Sequence, residues 1–384
     1  MDDLLKFDHL LTEDERFIKD NVARFVEEKA LALLNDAFEK GKFPLELVQG
    51  FQELGLFGLT LPLEEGGAGA SYLAYGLICQ ELEKGDSGLR SFVSVQNSLC
   101  IEALYRLGSQ EQKKTYLKDM INGKLIACFG LTEPDSGSDP KGMKTFAKKV
   151  SKGYEISGNK MWITNATIAG LAVVWANTQE GIRGFLMPTK TKGFTVSEIH
   201  HKMSLRASIT GELAFDQVFV PDDHLLPGSE AGLKTALNCL NQARFGIAWG
   251  ALGAAMACFD ITLEYLLTRK QGKKELAGKQ LIQQKLADLY SSILQAQAFN
   301  YRMTQLKEQQ QETPAMISIA KREACRTALN VARTCRNLLG ANGISLEYHV
   351  IRHMLNLESV FTYEGTDEVH TLVIGRHLTG INAF

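Results

Sequence analysis

The stretch "YEISGNKMWITNATIAGLAVVWANTQEGIRGFLMP" spans residues 154–188 and decides the fold of this 384-residue chain. Its runs are short and rich in β-branched and aromatic residues, and turn signals such as Gly158-Asn159 separate them. The same pattern continues past Lys192-Gly193 and covers about residues 127–230. This spacing predicts an antiparallel sheet or barrel, because alternating strands and helices would need longer helical runs between the strands.

Helical patterns flank this β block on both sides. Residues 1–126 repeat apolar side chains every three or four positions behind Thr12, a predicted N-cap. In residues 231–384, Thr313-Pro314 predicts a helix start and "LLGANG" (338–343) a helix end. Because 384 residues exceed what one core usually holds, we predict three domains with these boundaries.

The composition is that of an ordinary globular protein. A net charge of −2 gives no reason to expect nucleic acid, and no apolar run approaches the roughly 20 residues of a membrane span. The 7 cysteines form no C-x-x-C pair, which indicates reduced thiols inside a cell. The first residues lack a signal or transit pattern, so we expect the cytoplasm, or the mitochondrial matrix for a processed eukaryotic chain.

Several common site motifs are missing from the sequence. "EEGGAGASYLAYG" (64–76) does not satisfy G-x-G-x-x-G and predicts a turn before a helix. Neither a G-x-S-x-G elbow nor a Cys–His pairing supports acyl transfer by a covalent nucleophile. His349 and His353 stand four apart, but zinc would need a third ligand, so we expect solvated or capping histidines and no metal site.

Two stretches of the β block carry polar groups suited to a cofactor. "ACFGLTEPDSGSDP" (127–140) follows a strand-like run with hydroxyls and glycines that can present donors to a phosphate or an isoalloxazine edge. A plain polar connection is the alternative. In "KMWITNA" (160–166), Trp162 either packs in the core or flanks a flat aromatic group.

Two arginines stand in apolar surroundings. Arg244 lies one helical turn from Asn241 and is either a surface salt bridge or a half-buried cation that needs an anionic partner. Arg90 either pairs with Asp86 on its own helix or turns inward toward a bound carboxylate or carbonyl.

A carboxylate ends an apolar run in "LNLESVFTYEGTDEVH" (355–370). Glu364 stands where the pattern predicts burial, Gly365 opens a turn, and a new helix starts after it. Desolvation would bring such a carboxyl toward the pKa that a general base needs near neutral pH.

Seven segments occur in a fixed order along the chain. They are "GLTEPDSGSD" (130–139), "KMWITN" (160–165), "KMSLRASITGELAFDQVFVP" (202–221), "ARFGIAWGALGA" (243–254), "QLIQQKLAD" (280–288), "LLGANGI" (338–344) and "TYEGT" (362–366). Together they resemble the acyl-CoA dehydrogenase family over essentially the whole chain. The resemblance implies an N-terminal helical domain, a middle antiparallel β-barrel, a C-terminal four-helix bundle, bound FAD, an acyl-CoA substrate, electron-transfer flavoprotein as partner and a homotetramer.

Within the family the sequence is most similar to glutaryl-CoA dehydrogenases. The stretches "DSGLRSFVSVQ" (86–96), "CLNQARFGIAWG" (239–250) and "EYHVIRHMLNLESVFTYEGT" (347–366) carry this similarity. It implies oxidative decarboxylation of glutaryl-CoA to crotonyl-CoA in lysine and tryptophan catabolism. Glu364 falls on the position of the catalytic base, and Ala243 replaces the carboxylate that some relatives use instead.

The resemblance also implies two sets of binding residues. Those matching substrate contacts are Glu83, Arg90, Ser91, Ser138, Leu237, Asn241, Arg244 and Gly365. Those matching FAD contacts are Phe129, Leu131, Thr132, Gly137, Ser138, Trp162, Ile163, Thr164, Arg269, Gln280, Leu339, Gly340 and Thr366.

Two departures from the family pattern leave other functions open. "RKQGKKELAGKQ" (269–280) lacks the aromatic residue that packs near the adenine in relatives, and Leu89 replaces a tyrosine beside Arg90. The alternatives are a short-chain acyl-CoA dehydrogenase without decarboxylation, an acyl-CoA oxidase, and an acyl-CoA-binding protein without redox activity.

Overall fold

The N-terminal part of the molecule is helical. The computed structural model describes residues 3–383. As predicted, Thr12 caps the first helix, where it forms a capping box with Glu15. The helices are α1 Glu13–Phe25, α2 Leu31–Lys40, α3 Leu47–Glu53, α4 Tyr72–Gly85, α5 Ser87–Ser94, α6 Glu102–Leu107 and α7 Gln110–Ile121.

The middle part is a 7-stranded sheet. Its strands are β1 Ala127–Gly130, β2 Phe146–Val150, β3 Gly153–Thr164, β4 Leu171–Thr178, β5 Gly181–Pro188, β6 Phe194–Glu198 and β7 Thr210–Pro221. Their order is β1-β4-β2-β3-β7-β6, with β5 on the other edge of β4. The sheet is a half-barrel, in agreement with the predicted antiparallel sheet or barrel.

Two details of the predicted sheet are wrong, the direction of one strand pair and the position of one turn. β1 and β4 run parallel, because β2 and β3 lie between them in the chain and provide the crossover that a parallel pair requires. Gly158-Asn159 is not a turn. Gly158 has φ 141° and forms a bulge inside β3, so "YEISG" and "KMWIT" belong to one strand.

The C-terminal part is again helical. Its elements are α8 Leu233–Thr268, β8 Lys270–Gln271, β9 Lys274–Glu275, α9 Gln280–Glu308, α10 Pro314–Leu338, α11 Val350–Thr362 and α12 Asp367–Thr379. Thr313 caps α10 with Pro314 in its first turn, as predicted. The helix ends at Leu338, within the predicted stop.

The long helix α8 forms the centre of the protein. One hydrophobic cluster joins it to the N-terminal helices and to α9, α10 and α11, and a second cluster fills the sheet. By length and composition α8 could span a membrane, contrary to the expectation that no apolar run approaches that length. However, 78% of its most apolar window is buried against other elements, as in the core helix of a globular protein.

A buried ion pair ties the three parts together. Asp86, between α4 and α5, accepts hydrogen bonds from Arg352 Nη1 (2.5 Å) and Asn356 Nδ2 (2.8 Å) of α11. Asn356 Oδ1 accepts from the backbone of Leu205, in the loop between β6 and β7. The interpretation that Arg90 pairs with Asp86 is therefore wrong, because the Asp86 carboxylate binds Arg352 and Asn356 of α11 instead.

Candidate active site

Glu364 lies in a tight loop between α11 and α12. Thr366 caps α12 by accepting from the Val369 N–H, so the fresh helix predicted after the carboxylate is present. Glu364 has φ 52°, a left-handed conformation that costs a non-glycine residue about 1–3 kcal/mol. Such strain persists only where the surroundings impose it, and it marks this loop as a functional segment.

The Glu364 carboxyl lacks the partners that a structural carboxylate has. Its Oε2 atom is buried and has no hydrogen-bond partner among the described residues. Burial raises the pKa of Glu364 above 4.5, against the opposing effect of the Arg90, Arg244 and Lys321 cations. Desolvation prevails over three nearby cations, so this carboxyl is suited to take up a proton.

Arg244 holds the backbone of the loop. Its Nε donates to the Glu364 carbonyl (2.7 Å) and its Nη1 to Asn241 Oδ1 (3.0 Å), so the two residues share a face of α8 as predicted. The surface salt bridge considered for Arg244 is wrong. The arginine is half-buried and its hydrogen bonds go to a carbonyl and an amide oxygen.

Two N–H groups of the loop remain available. Within residues 3–383 no protein group accepts a hydrogen bond from the backbone N–H of Glu364 or of Gly365. Gly365 has φ 105°, and a Cβ atom there would come within 2.8 Å of His370 Nε2. Glycine therefore permits both the backbone conformation and the close approach of α12.

Arg90 turns inward, as one of the two interpretations predicted. It is 1% exposed, and its Nε donates to Glu83 Oε2 at 2.6 Å across the α4–α5 break. Its Nη2 donates to the hydroxyl of Tyr363, the residue before Glu364. Glu83 Oε1 is buried without a partner, and Ser91 Oγ lies 3.5 Å from the Tyr363 hydroxyl. A polar cluster thus lies directly beside Glu364.

Among the residues expected to contact a flavin, Trp162 is exposed on the sheet beside the 131–138 loop. Trp162 is 55% exposed and has φ 63°, because a bulge between Lys160 and Ile163 turns it out of the sheet. The Met161 N–H donates to the Thr132 carbonyl (2.9 Å), which places the 131–138 loop against this bulge. A tryptophan presented in this way, beside a loop of hydroxyls and amides, fits a planar aromatic cofactor.

The other expected cofactor residues differ in their surroundings. Three are buried beneath the surface, namely Phe129, Leu131 and Ile163. Three are half-exposed or exposed at it, namely Thr164, Gly137 and Ser138.

The residues expected near the adenine lie at the ends of C-terminal elements. Arg269 and Gln280 flank an exposed hairpin, β8–β9, which turns at Gly272 with φ 68°. Leu339 and Gly340 follow the end of α10. No hydrogen bond in the described part of the chain joins these two pairs.

A buried ion pair fixes the 131–138 loop. Lys160 is fully buried, and its Nζ donates to Glu133 Oε1 (2.7 Å) and to the Leu131 carbonyl (3.1 Å). Glu133 also accepts from the N–H groups of Lys144 and Thr145. Burial lowers the pKa of Lys160 to about 8, and its partners lower that of Glu133, so both are charged at neutral pH.

Replacing Lys160 with methionine should therefore loosen the loop and weaken flavin retention. Glu133 would be left as a buried charge without its cation, which costs about 3–5 kcal/mol of folding stability. The measurement is the unfolding midpoint together with the flavin content after gel filtration. Lys144→Met is the matched control, because its salt bridge to Asp135 is exposed, and it should retain flavin. Equal flavin content in both variants would contradict this role.

An open cavity of about 290 Å³ lies beside Asn241, between α6, α8 and the α9–α10 connection. Its wall includes Arg106 and Lys307, each paired with a glutamate. Leu237 lies half-buried one turn before Asn241 on the same helix. The cavity offers room for a polar ligand next to the expected substrate residues.

Histidines contribute no metal site. In residues 3–383 no three His, Cys, Asp or Glu side chains are close enough together to hold a metal ion. His349 is the N-cap residue of α11, but its side chain forms no capping hydrogen bond, and His353 is fully buried, so the solvated interpretation is wrong for His353.

Sequence reasoning missed Lys321 and His370, which surround the Glu364 loop. Lys321 occupies a position of the buried stripe of α10 that also contains Ile317 and Ala324. A lysine at such a position is a signal that could have been recognised, because buried lysines require specific partners.

Models of the acyl-CoA dehydrogenase family match three successive segments. The N-terminal domain matches residues 12–124, the middle domain 128–218 and the C-terminal domain 230–379. A solved glutaryl-CoA dehydrogenase from Mycobacterium smegmatis is 49% identical, with a TM-score of 0.98 over 100% of this chain and 99% of that one. A second structure of a glutaryl-CoA dehydrogenase from that organism, in complex with FADH2, is 48% identical, with a TM-score of 0.97 over 99% and 98%.

Another relative is named for a different class of substrate. The mitochondrial short-chain specific acyl-CoA dehydrogenase of Bos taurus is 33% identical over 373 residues, 96% of this chain and 90% of that protein. All three relatives cover nearly the whole chain. The chain therefore belongs to the acyl-CoA dehydrogenase family and is an FAD-dependent enzyme of the glutaryl-CoA dehydrogenase-like kind.

Proposed function

We propose that the enzyme oxidises and decarboxylates glutaryl-CoA to crotonyl-CoA and carbon dioxide, and that electron-transfer flavoprotein takes up the electrons. The observation that carries this proposal is the buried Arg90, which lies beside the base and is linked to it through Tyr363. The 49% identity to a solved glutaryl-CoA dehydrogenase supports the same substrate.

Glu364 acts as the general base. Its desolvated carboxylate removes a proton from the carbon next to the thioester carbonyl, which a solvated carboxylate is too weak a base to do. The free N–H of Glu364 donates to the thioester oxygen as negative charge develops there. Trp162 and the 131–138 loop would hold FAD, which would supply the acceptor for the hydride that leaves the β-carbon.

Arg90 holds the distal carboxylate of the substrate. Glu83 and Tyr363 engage its Nε and Nη2, which leaves further N–H groups of the guanidinium for a ligand. The Arg90–Glu83 pair is neutral overall, so an incoming carboxylate gains from directed hydrogen bonds rather than from net charge. Apolar acyl chains make no such bonds.

Decarboxylation follows from the position of the new double bond. After oxidation the distal carboxylate is attached to the saturated carbon next to the new double bond, so the electron pair of the broken carbon–carbon bond can delocalise through that double bond to the thioester carbonyl as carbon dioxide leaves. Glu364, protonated in the first step, returns its proton to the carbon chain and gives crotonyl-CoA.

Glutaryl-CoA should be turned over by the unmodified enzyme with a higher kcat/KM than butyryl-CoA.

Arg90→Lys retains a cation for Glu83 but loses the planar guanidinium with its forked N–H donors, so we expect kcat/KM for glutaryl-CoA to fall by about 10- to 100-fold. The value for butyryl-CoA should change far less. The assay follows flavin-dependent dye reduction and carbon dioxide release with both substrates.

The short-chain name of the bovine relative makes butyryl-CoA the competing substrate. Faster turnover of butyryl-CoA by the unmodified enzyme, or equal losses for both substrates in Arg90→Lys, would favour a short-chain dehydrogenase without decarboxylation. Peroxide production that keeps pace with substrate consumption would favour an oxidase.

We infer a homotetramer from the family. Large apolar side chains of the C-terminal helices, such as Leu267 and Leu281, are more than half exposed in the single chain, which supports association through this part. Light scattering of the purified protein measures the number of subunits.

A further inference from the structure

Lys321 on α10 is a buried cation with no part in the reaction described above. It is 1% exposed, and its Nζ donates to the carbonyls of Phe361 (3.2 Å) and Gly365 (2.9 Å). These carbonyls lie three residues before and one residue after Glu364. One ammonium group therefore bridges the last turn of α11 and the loop that follows the base.

The two cations at this loop bind different backbone carbonyl groups. Arg244 binds the Glu364 carbonyl from α8, and Lys321 binds the Gly365 carbonyl from α10. With both carbonyls directed toward the helices, the peptide planes on either side of Gly365 are fixed. The left-handed φ of Glu364 then persists although no glycine occupies that position.

We propose that Lys321 is a positioning residue of the active site: by bridging the Phe361 and Gly365 carbonyls, it fixes the loop so that the Glu364 carboxylate and N–H face the substrate. This inference rests on the proposed role of Glu364 as the base. A lysine is otherwise rarely buried without a carboxylate partner, and here its partners are backbone carbonyls of the catalytic loop.

Electrostatics give the same residue a second effect. Lys321 lowers the pKa of Glu364 against the raising effect of burial, and Glu364 in turn favours the charged form of Lys321. Charged and titratable groups also face this pair from the surrounding elements, namely Glu83 on α4, Arg90 on α5, Arg244 on α8, Arg322 and Cys325 on α10, Tyr363 in the loop, and Asp367 and His370 on α12. Removing Lys321 removes one of the three cations that favour the carboxylate.

Removing Lys321 should raise the pKa of Glu364. Without Lys321 the neutral form of Glu364 gains relative to the carboxylate, so its pKa moves upward. A base is active as the carboxylate, so the fall of activity toward acid should begin at a higher pH. A misplaced loop also lowers kcat at every pH, on the order of 10- to 100-fold, because small displacements of a catalytic group are costly.

The test compares Lys321→Met with Lys202→Met in the flavin-loaded protein. Lys202 is a matched lysine, because its Nζ also donates to backbone carbonyls, those of Leu205 and Ser208, and burial lowers its pKa to about 8. It is not among the groups that shift Glu364. The readout is a pH titration of the carboxyl stretching band in the infrared, assigned to Glu364 by its loss in Glu364→Gln.

We expect the Glu364 titration to move to higher pH in Lys321→Met and to stay at the wild-type position in Lys202→Met. An unmoved titration in Lys321→Met, or an equal movement in both variants, would overturn the inference. If Lys321→Met does not fold, Lys321→Gln removes the charge and retains one donor, and the same comparison applies. Because the titration needs no turnover, it separates this inference from the proposed role of Glu364 as the base, which fails if Glu364→Gln remains active.

Discussion

Replacing Glu364 with glutamine is expected to lower kcat for glutaryl-CoA on the order of 10⁴-fold. The amide is nearly the same size as the carboxyl but cannot accept a proton from the thioester α-carbon. Neither neighbouring residue, Tyr363 nor Gly365, offers another carboxylate, and Ala243, next to Arg244 on α8, offers none either. Steady-state turnover with an artificial electron acceptor measures the effect.

Glu358→Gln is the matched control for this change. Glu358 lies on α11 near the loop, and its carboxylate pairs with Arg333 at the surface. We expect the control to retain wild-type turnover, and both proteins to remain yellow. Turnover of Glu364→Gln within a few-fold of wild type would mean that another group is the base.

Asp86→Ala is expected to destabilise the protein by about 3–5 kcal/mol, because it leaves a buried charge uncompensated. Arg352 is fully buried, and its Nη1 donates to Asp86 Oδ2 and to the Gly85 carbonyl. The same carboxylate binds Asn356 and caps α5 through the Gly88 N–H. Alanine would remove the carboxylate contacts with Arg352, Asn356 and Gly88 at the point where the three parts of the molecule meet.

The loss is measured as a shift of the midpoint of urea unfolding. Asp36→Ala is the control, since the Asp36–Lys40 pair on α2 is exposed and should have little effect on stability. A similar small shift in both variants would show that the Asp86 network does not hold the three parts together.

The sequence predicted what depends on local patterns. The predicted helix caps at Thr12 and Thr313 act on backbone N–H groups three positions away, and the structure contains both of them. Glu364 could be recognised because it ends an apolar run just before a glycine. The inward turn of Arg90 was one of two interpretations that the sequence left open, and the structure confirms it.

Long-range partners could not be predicted in this way. Asp86 binds Arg352, a residue 266 positions away, and nothing near either residue indicates the other. The parallel pairing of β1 with β4 depends on how β2 and β3 cross between them. The exposure of Trp162 likewise depends on a bulge, which the composition of a strand does not reveal.

The most direct test of the role of Glu364 is the rate of flavin bleaching when the protein is mixed anaerobically with glutaryl-CoA over a range of pH. We expect this rate to fall toward acid through a pKa above 4.5, the ordinary value for a glutamate, since burial raises the pKa of Glu364 and only its carboxylate accepts the proton. Carbon dioxide should be released with the bleaching, and Glu364→Gln should show neither. Bleaching of the glutamine variant at the wild-type rate would contradict the assignment of Glu364 as the base.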